Sequence, residues 1–326
     1  MDPTVGFIGL GVMGQRMLGN MNTFGGFILH AGWDPDPAAC RQAQALVPGF
    51  SIAEDPFALI NDPALDLVYI ACPPAHHKIY AMAAIAAGKA IYCEKPLGID
   101  LSESQGLVDA VEAAGNKHCV NFSLASAAAV ECMESALADG SIGAVQAVDI
   151  HLHFSTWPRD WQVPAAWLSE RAEGGFVRET FSHYAYLCQR LFGPVTVKSA
   201  TTRYPDDAVS AETQCLAALD CAGIPISFMG GTGGIHSSGA DKVAFTIWGA
   251  KAVYRLYDWN RLRTNSGDGW TEQLTDIADL REEGYRRALI NVGRLLRDEA
   301  HGLPDFRAAL AVQTVVEDIL SRRQAK

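Results

Sequence analysis

Short apolar runs alternate with helically spaced stretches along the first 120 residues. Val5–Ile8, Phe27–Trp33, Leu65–Ala71, Ala90–Cys93 and His118–Phe122 are compact apolar runs, the pattern of strands buried on both faces of a parallel sheet. Between them, helical spacing predicts a helix after Ile8 that ends near Asn22. A second covers Ala75–Ala87 and is closed by Gly88; a third covers Ser102–Ala114 and is stopped by Gly115. Strand and helix in alternation predict a doubly wound parallel sheet. Ligands of such sheets lie beyond the carboxyl ends of the strands, where Asp34, Cys72, Lys95 and Asn121 fall.

The second half has a different pattern. Val195–Thr202, Ala211–Leu219, Ile224–Gly230, Lys242–Ile247 and Ala252–Leu256 read as consecutive strands separated by Gly, Pro and Asp turns. With no helices between them, they predict a large, mostly antiparallel open sheet in a second α/β domain. Gly230–Gly234 is read as a loop, and Tyr285–Glu299 and Phe306–Arg323 as closing amphipathic helices. A further helix is expected from about Phe176 to Phe192, ended by Gly193-Pro194. Its apolar stripe is Val177, Phe181, Tyr184, Cys188 and Leu191, with Glu179, Ser182, His183 and Tyr186 on the other side. The expected domains are residues 1–121 and 122–326.

Composition narrows the function classes. The chain has 326 residues, 49% hydrophobic and 19% charged, which excludes a disordered polymer. With 26 basic and 37 acidic residues the net charge is −11, which argues against nucleic acid or an anionic membrane as the main partner. No apolar run approaches the roughly 18–20 residues of a membrane span, and the N-terminal residues do not read as a signal peptide. The eight cysteines form no CxxC pair and read as reduced thiols of a cytoplasmic protein.

One motif carries specific chemistry. Val5–Ile8 runs into Gly9-Leu10-Gly11-Val12-Met13-Gly14, a GxGxxG pattern, and Asp34 ends the next apolar run twenty residues beyond Gly14. This is the fingerprint of a dinucleotide-binding βαβ unit. Gly9 permits the tight turn, Gly11 a close approach of pyrophosphate, and Gly14 close packing of helix on strand. The helix N-terminus offers its amides to the phosphate. Asp34 would accept the adenosine ribose hydroxyls and repel a 2′-phosphate, so NAD(H) is expected over NADP(H).

Three features in order then resemble the Gfo/Idh/MocA oxidoreductases: Gly9–Gly14, Glu94-Lys95-Pro96, and Gly174-Gly175 followed by Glu179 and His183. Gly88–Leu97 is close to that family's most recognisable stretch. Pro73 and His77 match its proline and histidine, and Trp248–Lys251 is similar to its late Gly-x-Lys turn. The resemblance implies a Rossmann domain followed by a substrate-binding and oligomerisation domain. It also implies homodimers or homotetramers formed through the large sheet, and reversible hydride transfer with a sugar, cyclitol or related polyol. Cys72, Pro73, His77, Glu94, Lys95 and Asn121 would join the glycine loop (Gly9, Leu10, Gly11, Val12, Met13, Gly14) and Asp34 around the cofactor.

Carbinol oxidation needs a proton acceptor and a group that stabilises the developing carbonyl oxygen. His183 suits the first task, with an unperturbed pKa of about 6.5. Lys95 suits the second as a cationic donor. Glu179, one turn before His183, would orient it or bind substrate hydroxyls. Trp157, Trp167 and Arg178 are further candidates for substrate contact, although for Arg178 pairing with a neighbouring acid is the favoured reading. The chain departs from the family pattern at Glu179 (usually aspartate), Arg178 (usually apolar), Ala125 (often arginine) and Pro74 (often asparagine). His151 and His153 share a strand face without a third ligand, so no metal is expected.

Three rival readings remain open. The stretch Gly6–Gly14 also looks like the start of the 3-hydroxyisobutyrate dehydrogenases, whose second domain is helical. A reductase of another small carbonyl or imine on the same scaffold and a non-catalytic NAD(P)-binding sensor are the other two.

Overall fold

The computed structural model describes residues 2–234 and 241–322, so Arg323 of the closing helix lies outside the described residues. The chain forms two compact units. The first is Met1–Phe122 with Tyr285–Leu310, and the second is Ser123–Gly284 with Ala311–Lys326. Residues 285–310 belong with the N-terminal unit because Leu289, Val292 and Leu295 are buried in its core.

The first unit runs β1 (Thr4–Ile8), α1 (Val12–Phe24), β2 (Ile28–Trp33), α2 (Pro37–Leu46), β3 (Ser51–Ile52), α3 (Pro56–Ile60), β4 (Leu67–Ile70), α4 (His77–Ala86), β5 (Ala90–Glu94), α5 (Leu101–Ala114) and β6 (His118–Asn121). The strand order is β3-β2-β1-β4-β5-β6, with every pairing parallel. This is the Rossmann order, whose reversal between β1 and β4 opens a crevice at the carboxyl ends. The register brings those ends level. Ile8 pairs with Trp33 and Ile70, Ile70 with Cys93, and Glu94 with Asn121. Gly9, Asp34, Cys72 and Lys95 thereby come to one edge of the sheet.

The second unit contains α6 (Ala128–Ala138), β7 (Val145–Phe154), a π-helical segment (Val177–Phe181) that runs into α7 (Ser182–Phe192), and then β8 (Val195–Arg203), β9 (Gln214–Cys221), β10 (Ile224–Thr232), β11 (Lys242–Gly249), β12 (Val253–Tyr257), β13 (Arg261–Asn265) and β14 (Thr271–Glu272). Two closing helices, α8 (Leu280–Leu296) and α9 (Phe306–Ser321), are each divided between the units. The eight strands are ordered β14-β13-β12-β11-β7-β10-β9-β8. All pair antiparallel except β7 with β10. Aromatic packing joins α7 and the π segment to this sheet. Phe181 stacks on Phe228 with ring centres 4.1 Å apart, and Tyr184 stacks on Phe245 at 6.1 Å.

Gly230–Thr232 belongs to β10 rather than to a loop. A Cβ on Gly230 would stand 2.3 Å from the Phe176 ring, so glycine here makes room for an aromatic side chain within a strand. Among the described residues no helix is long and apolar enough to cross a membrane.

Candidate functional site

In the first unit, the glycines act through close contact. Gly9 has φ +94°, and a Cβ there would lie 2.6 Å from the backbone of Ala71 and Cys72. A Cβ on Gly14 would lie 2.1 Å from the Gly9 carbonyl oxygen, so α1 could not seat against the turn. At Gly11 a Cβ would meet no protein atom within 4 Å, so its missing side chain leaves open space beside the chain. The helix that starts at Val12-Met13 has no side-chain cap and no acidic residue in its first turn, which leaves its amide dipole for an anion. Asp34 is tied to this loop. It accepts the Leu10 amide on Oδ2 at 2.7 Å and the Asp36 amide on Oδ1 at 2.8 Å. An open cradle at a helix N-terminus, with an acid held at the next strand end, fits a dinucleotide.

The turn after β4 is braced from beneath. His77 is fully buried, with Nδ1 2.9 Å from the Pro96 carbonyl and Nε2 2.9 Å from that of Cys72. Burial pushes its pKa down to about 4, so it is neutral, donates its one N–H to one of these carbonyls, and packs between the Cys72-Pro73 turn and the Glu94-Lys95-Pro96 turn. Burial likewise drives the Cys72 thiol up to about 12.

Glu94 is buried at the end of β5. Its Oε1 accepts from Tyr69 Oη at 2.5 Å and from Asn121 Nδ2 at 2.6 Å, while Tyr92 Oη donates to Asn121 Oδ1 at 2.7 Å. Glu94 and Asn121 are thus partners in one buried network. Burial, with Glu94 beside them, holds both tyrosine hydroxyls above their ordinary range. This network fixes the strand end that presents Lys95, which is itself 8% exposed. The Lys95–Pro96 peptide is cis.

In the second unit, Gly174-Gly175 lets the chain turn inside the core. A Cβ on Gly174 would lie 2.4 Å from the carbonyl oxygens of Trp167 and Leu168; one on Gly175 (φ +97°) would lie 2.2 Å from the Glu212 carboxylate. The segment that follows is buried almost all round. From Gly174 to Cys188, only Glu179 and His183 are partly exposed. Ser182 and Tyr186, expected on a polar face with them, are buried. A solvated helix face would leave a continuous polar stripe. Here two polar residues four apart stand alone in an otherwise buried wall, partly within a π segment of the kind that recurs at functional sites.

Glu179 is further held by Gln162, 1% exposed, whose Nε2 donates to Glu179 Oε1 at 3.1 Å. Gln162 Oε1 in turn accepts from Arg159 Nε at 2.9 Å. Arg159 lies over the rings of Phe154, Trp157, Trp161 and Trp259, 4.8–5.8 Å from their centres. Trp157 donates its indole N–H to the Leu168 carbonyl at 2.9 Å. It therefore packs and braces this cluster, and Trp167 is half-buried nearby in sequence. Gln162 escaped sequence reasoning because it lies in an irregular segment, where no periodicity marks it.

Arg178 has a structural role. Its Nε and Nη2 grip both oxygens of Glu317 at 2.7 and 2.8 Å, and Nη1 donates to the carbonyls of Arg171 and Gly174. Pairing with a neighbouring acid, the favoured sequence reading, describes it; with the guanidinium spent this way, the substrate alternative has no geometric support. His153 Nε2 lies 2.8 Å from the Gly233 carbonyl. Among the described residues no group of three or more His, Cys, Asp or Glu is arranged to hold a metal.

Known families account for nearly the whole chain. Residues 4–122 match the oxidoreductase family with an NAD-binding Rossmann fold, and residues 134–325 match the C-terminal α/β domain of the same family. The chain belongs to the Gfo/Idh/MocA oxidoreductase family.

Curated relatives include a 1,5-anhydro-D-fructose reductase of Ensifer adhaerens, 37% identical over 36% of this chain and 34% of the relative. A levoglucosan dehydrogenase of Pseudarthrobacter phenanthrenivorans is 30% identical over 44% of this chain and 37% of its own length. These matches span about a third of the length of the curated relatives. Solved structures match over nearly the full length. A levoglucosan dehydrogenase complex with NADH and levoglucosan has a TM-score of 0.84 at 21% identity, covering 99% of this chain and 97% of that one. An Agrobacterium radiobacter oxidoreductase in complex with NAD+, L-tartaric acid and magnesium has a TM-score of 0.83 at 19% identity, covering 98% and 97%. At these identities the likeness establishes the fold alone. The mixed sheet of the second unit also separates this chain from dehydrogenases with an all-helical second domain.

Proposed function

We propose that this protein is an NAD(H)-dependent dehydrogenase that oxidises a carbinol carbon of a sugar, cyclitol or related polyol, and reduces the ketone in reverse. The observation that carries the reading is that Glu179 and His183 are the only part-exposed residues between Gly174 and Cys188, in an otherwise buried stretch. The relatives named as levoglucosan dehydrogenase and 1,5-anhydro-D-fructose reductase support the substrate class.

NAD held over Gly9–Gly14, with its ribose on Asp34, supplies the hydride acceptor at the nicotinamide. Val12 and Met13 contribute first-turn amides to the pyrophosphate. Cys72 and Pro73 shape the crevice wall, His77 braces their turn from beneath instead of facing the cofactor, and Glu94 and Asn121 hold the strand end behind Lys95. In the reaction, His183 takes the hydroxyl proton and Glu179 orients it or receives a substrate hydroxyl. Lys95 donates to the oxygen that becomes carbonyl, where a charged donor is worth most in a water-poor site. Trp157 and Trp167 line the substrate side.

The second unit also carries the proposed oligomer surface. Leu216, Met229, His151 and Ala244 form one row across β9, β10, β7 and β11. Leu216 and Met229 are about half exposed, on the face opposite Ile150 and Leu152. We assign this face to a homodimer or homotetramer contact, which Met229→Glu should break in size-exclusion chromatography. None of the eight cysteines forms a disulfide, in keeping with a reducing cytoplasmic setting.

The test is NADH production from a panel of sugars, inositols and sugar acids. Turnover on a polyol should fall by about 100-fold or more in Lys95→Ala and in His183→Ala, with NADH still bound. Tight NADH binding without turnover on any polyol would overturn the substrate assignment in favour of another carbonyl or a sensor.

A further inference from the structure

Glu212 is a carboxylic acid sealed in the core of the second unit, 2% exposed, just before β9. Its Oε1 accepts the Val177 amide at 2.8 Å, at the first residue of the π segment. Its Oε2 fills the position that a side chain on residue 175 would need, 2.2 Å from the ideal Cβ. The Gly174-Gly175 pair is thus explained by two neighbours: the carbonyls of Trp167 and Leu168 over the first glycine, and the Glu212 carboxylate over the second. The segment anchored in this way carries Glu179 two residues on and His183 six residues on.

We propose that Glu212 is a positioning residue for Glu179 and His183, and that its hold on their segment is graded by its own proton. This rests on the reading of Glu179 and His183 as the reacting pair. Burial is the main influence on Glu212 and raises its pKa to about 7. The Val177 amide, its own backbone amide and the Arg178 guanidinium pull the other way, and Glu317 on α9 adds to the rise. On β9, Cys215 is the further titratable neighbour, itself pushed up to about 12 by burial.

The sign follows from linkage. A carboxyl with a folded pKa above the unfolded 4.5 binds protons more tightly in the native state. Its contribution to local stability is complete below pH 4.5 and is lost as pH rises through about 7. The start of the helix should therefore open more readily at pH 8 than at pH 5.5, because opening lets the charged carboxylate reach water.

The experiment compares the full chain with Glu212→Gln, which keeps an acceptor for Val177 but cannot ionise, and with Glu212→Leu, which removes the acceptor. Hydrogen exchange of the peptide spanning Val177–His183 is followed from pH 5.5 to 8, corrected for intrinsic rates, with melting temperature and kcat alongside. In the natural chain, opening should rise about tenfold or more across that range. Glu212→Gln should abolish the rise, and its melting temperature relative to the natural chain should climb steadily with pH. Glu212→Leu should show raised exchange at every pH and a kcat at least tenfold lower, with NADH affinity unchanged. Glu212→Gln should restore that kcat.

The same pH slope in Glu212→Gln as in the natural chain overturns the proton grading. Exchange and kcat of the natural chain in a folded Glu212→Leu overturn the anchoring. If Glu212→Leu does not fold, the Gln comparison still decides. A natural chain with no polyol turnover refutes the proposed substrate class alone, since exchange and melting judge Glu212 without activity.

Discussion

Asp34 shows what a single side chain decides at the residue scale. Its carboxylate is oriented by two backbone amides, from Leu10 and Asp36, so it is set in place before any ribose arrives. In the proposed role, its charge would repel a 2′-phosphate and its two oxygens would accept the ribose hydroxyls. Asp34→Asn keeps an acceptor for Leu10 but loses the charge. NADH binding, read by fluorescence titration, should weaken about tenfold (about 1.4 kcal/mol), while NADPH binding should tighten. Unchanged discrimination between the two would remove Asp34 from the cofactor site. This residue was legible from the sequence because strand, turn, helix and acid fall at fixed offsets. Gln162 and Glu212 were not, since neither belongs to a periodic or motif-bearing segment and each acts on residues far away in the chain.

At the scale of elements, the helix after Gly174-Gly175 is the informative case. Its extent was readable from the 4,3,4,3 stripe and the Gly193-Pro194 stop. Its burial on the other side was not, because Ser182 and Tyr186 are polar yet enclosed. Arg178 fastens this segment to α9 through Glu317, with side chains 10% and 19% exposed. Removing one partner of such a pair strands the other charge in the interior. Glu317→Ala should therefore lower stability by about 3 kcal/mol in urea unfolding. Replacing both, as Arg178→Met with Glu317→Leu, should cost far less. A loss equal to that of the single variant would mean that the bonds from Arg178 to the Arg171 and Gly174 carbonyls matter more than the ion pair. Helices α2 and α3 also had unused signals: Asp36 and Asp55 cap them by accepting from Ala38 and Phe57, each just before a proline at the first helical position.

For the whole molecule, two buried groups in different units give stability opposite pH slopes. The pKa of His77 falls from 6.5 unfolded to about 4 folded, because burial disfavours its charged form. Its contribution is complete above pH 6.5 and is lost as pH falls toward 4, about 3 kcal/mol in all. Glu212 loses its contribution in the other direction, as pH rises from 4.5 to about 7. Across pH 4.5–6.5 the two slopes offset where the units melt together. Calorimetry of Glu212→Gln should therefore show a steeper fall in melting temperature on acidification than the natural chain shows. Parallel curves would mean that one of the two groups does not titrate as its burial implies.

By itself the sequence determined the alternating parallel-sheet unit, the dinucleotide fingerprint with Asp34, and the existence of a second, strand-rich unit. Each of these is written in local spacing: the periods of strand and helix, and the glycines that a tight turn requires. Only the tertiary structure decided that residues 285–310 return to the first core, that Gly230–Thr232 is strand, and that Arg178 pairs with Glu317. The same holds for Glu94 and Asn121 joining one network, and for a buried carboxyl standing over Gly175. These depend on contacts between residues tens to more than a hundred positions apart. Burial, which sets both the charge state of a side chain and its choice of partner, comes into being only when those distant segments meet.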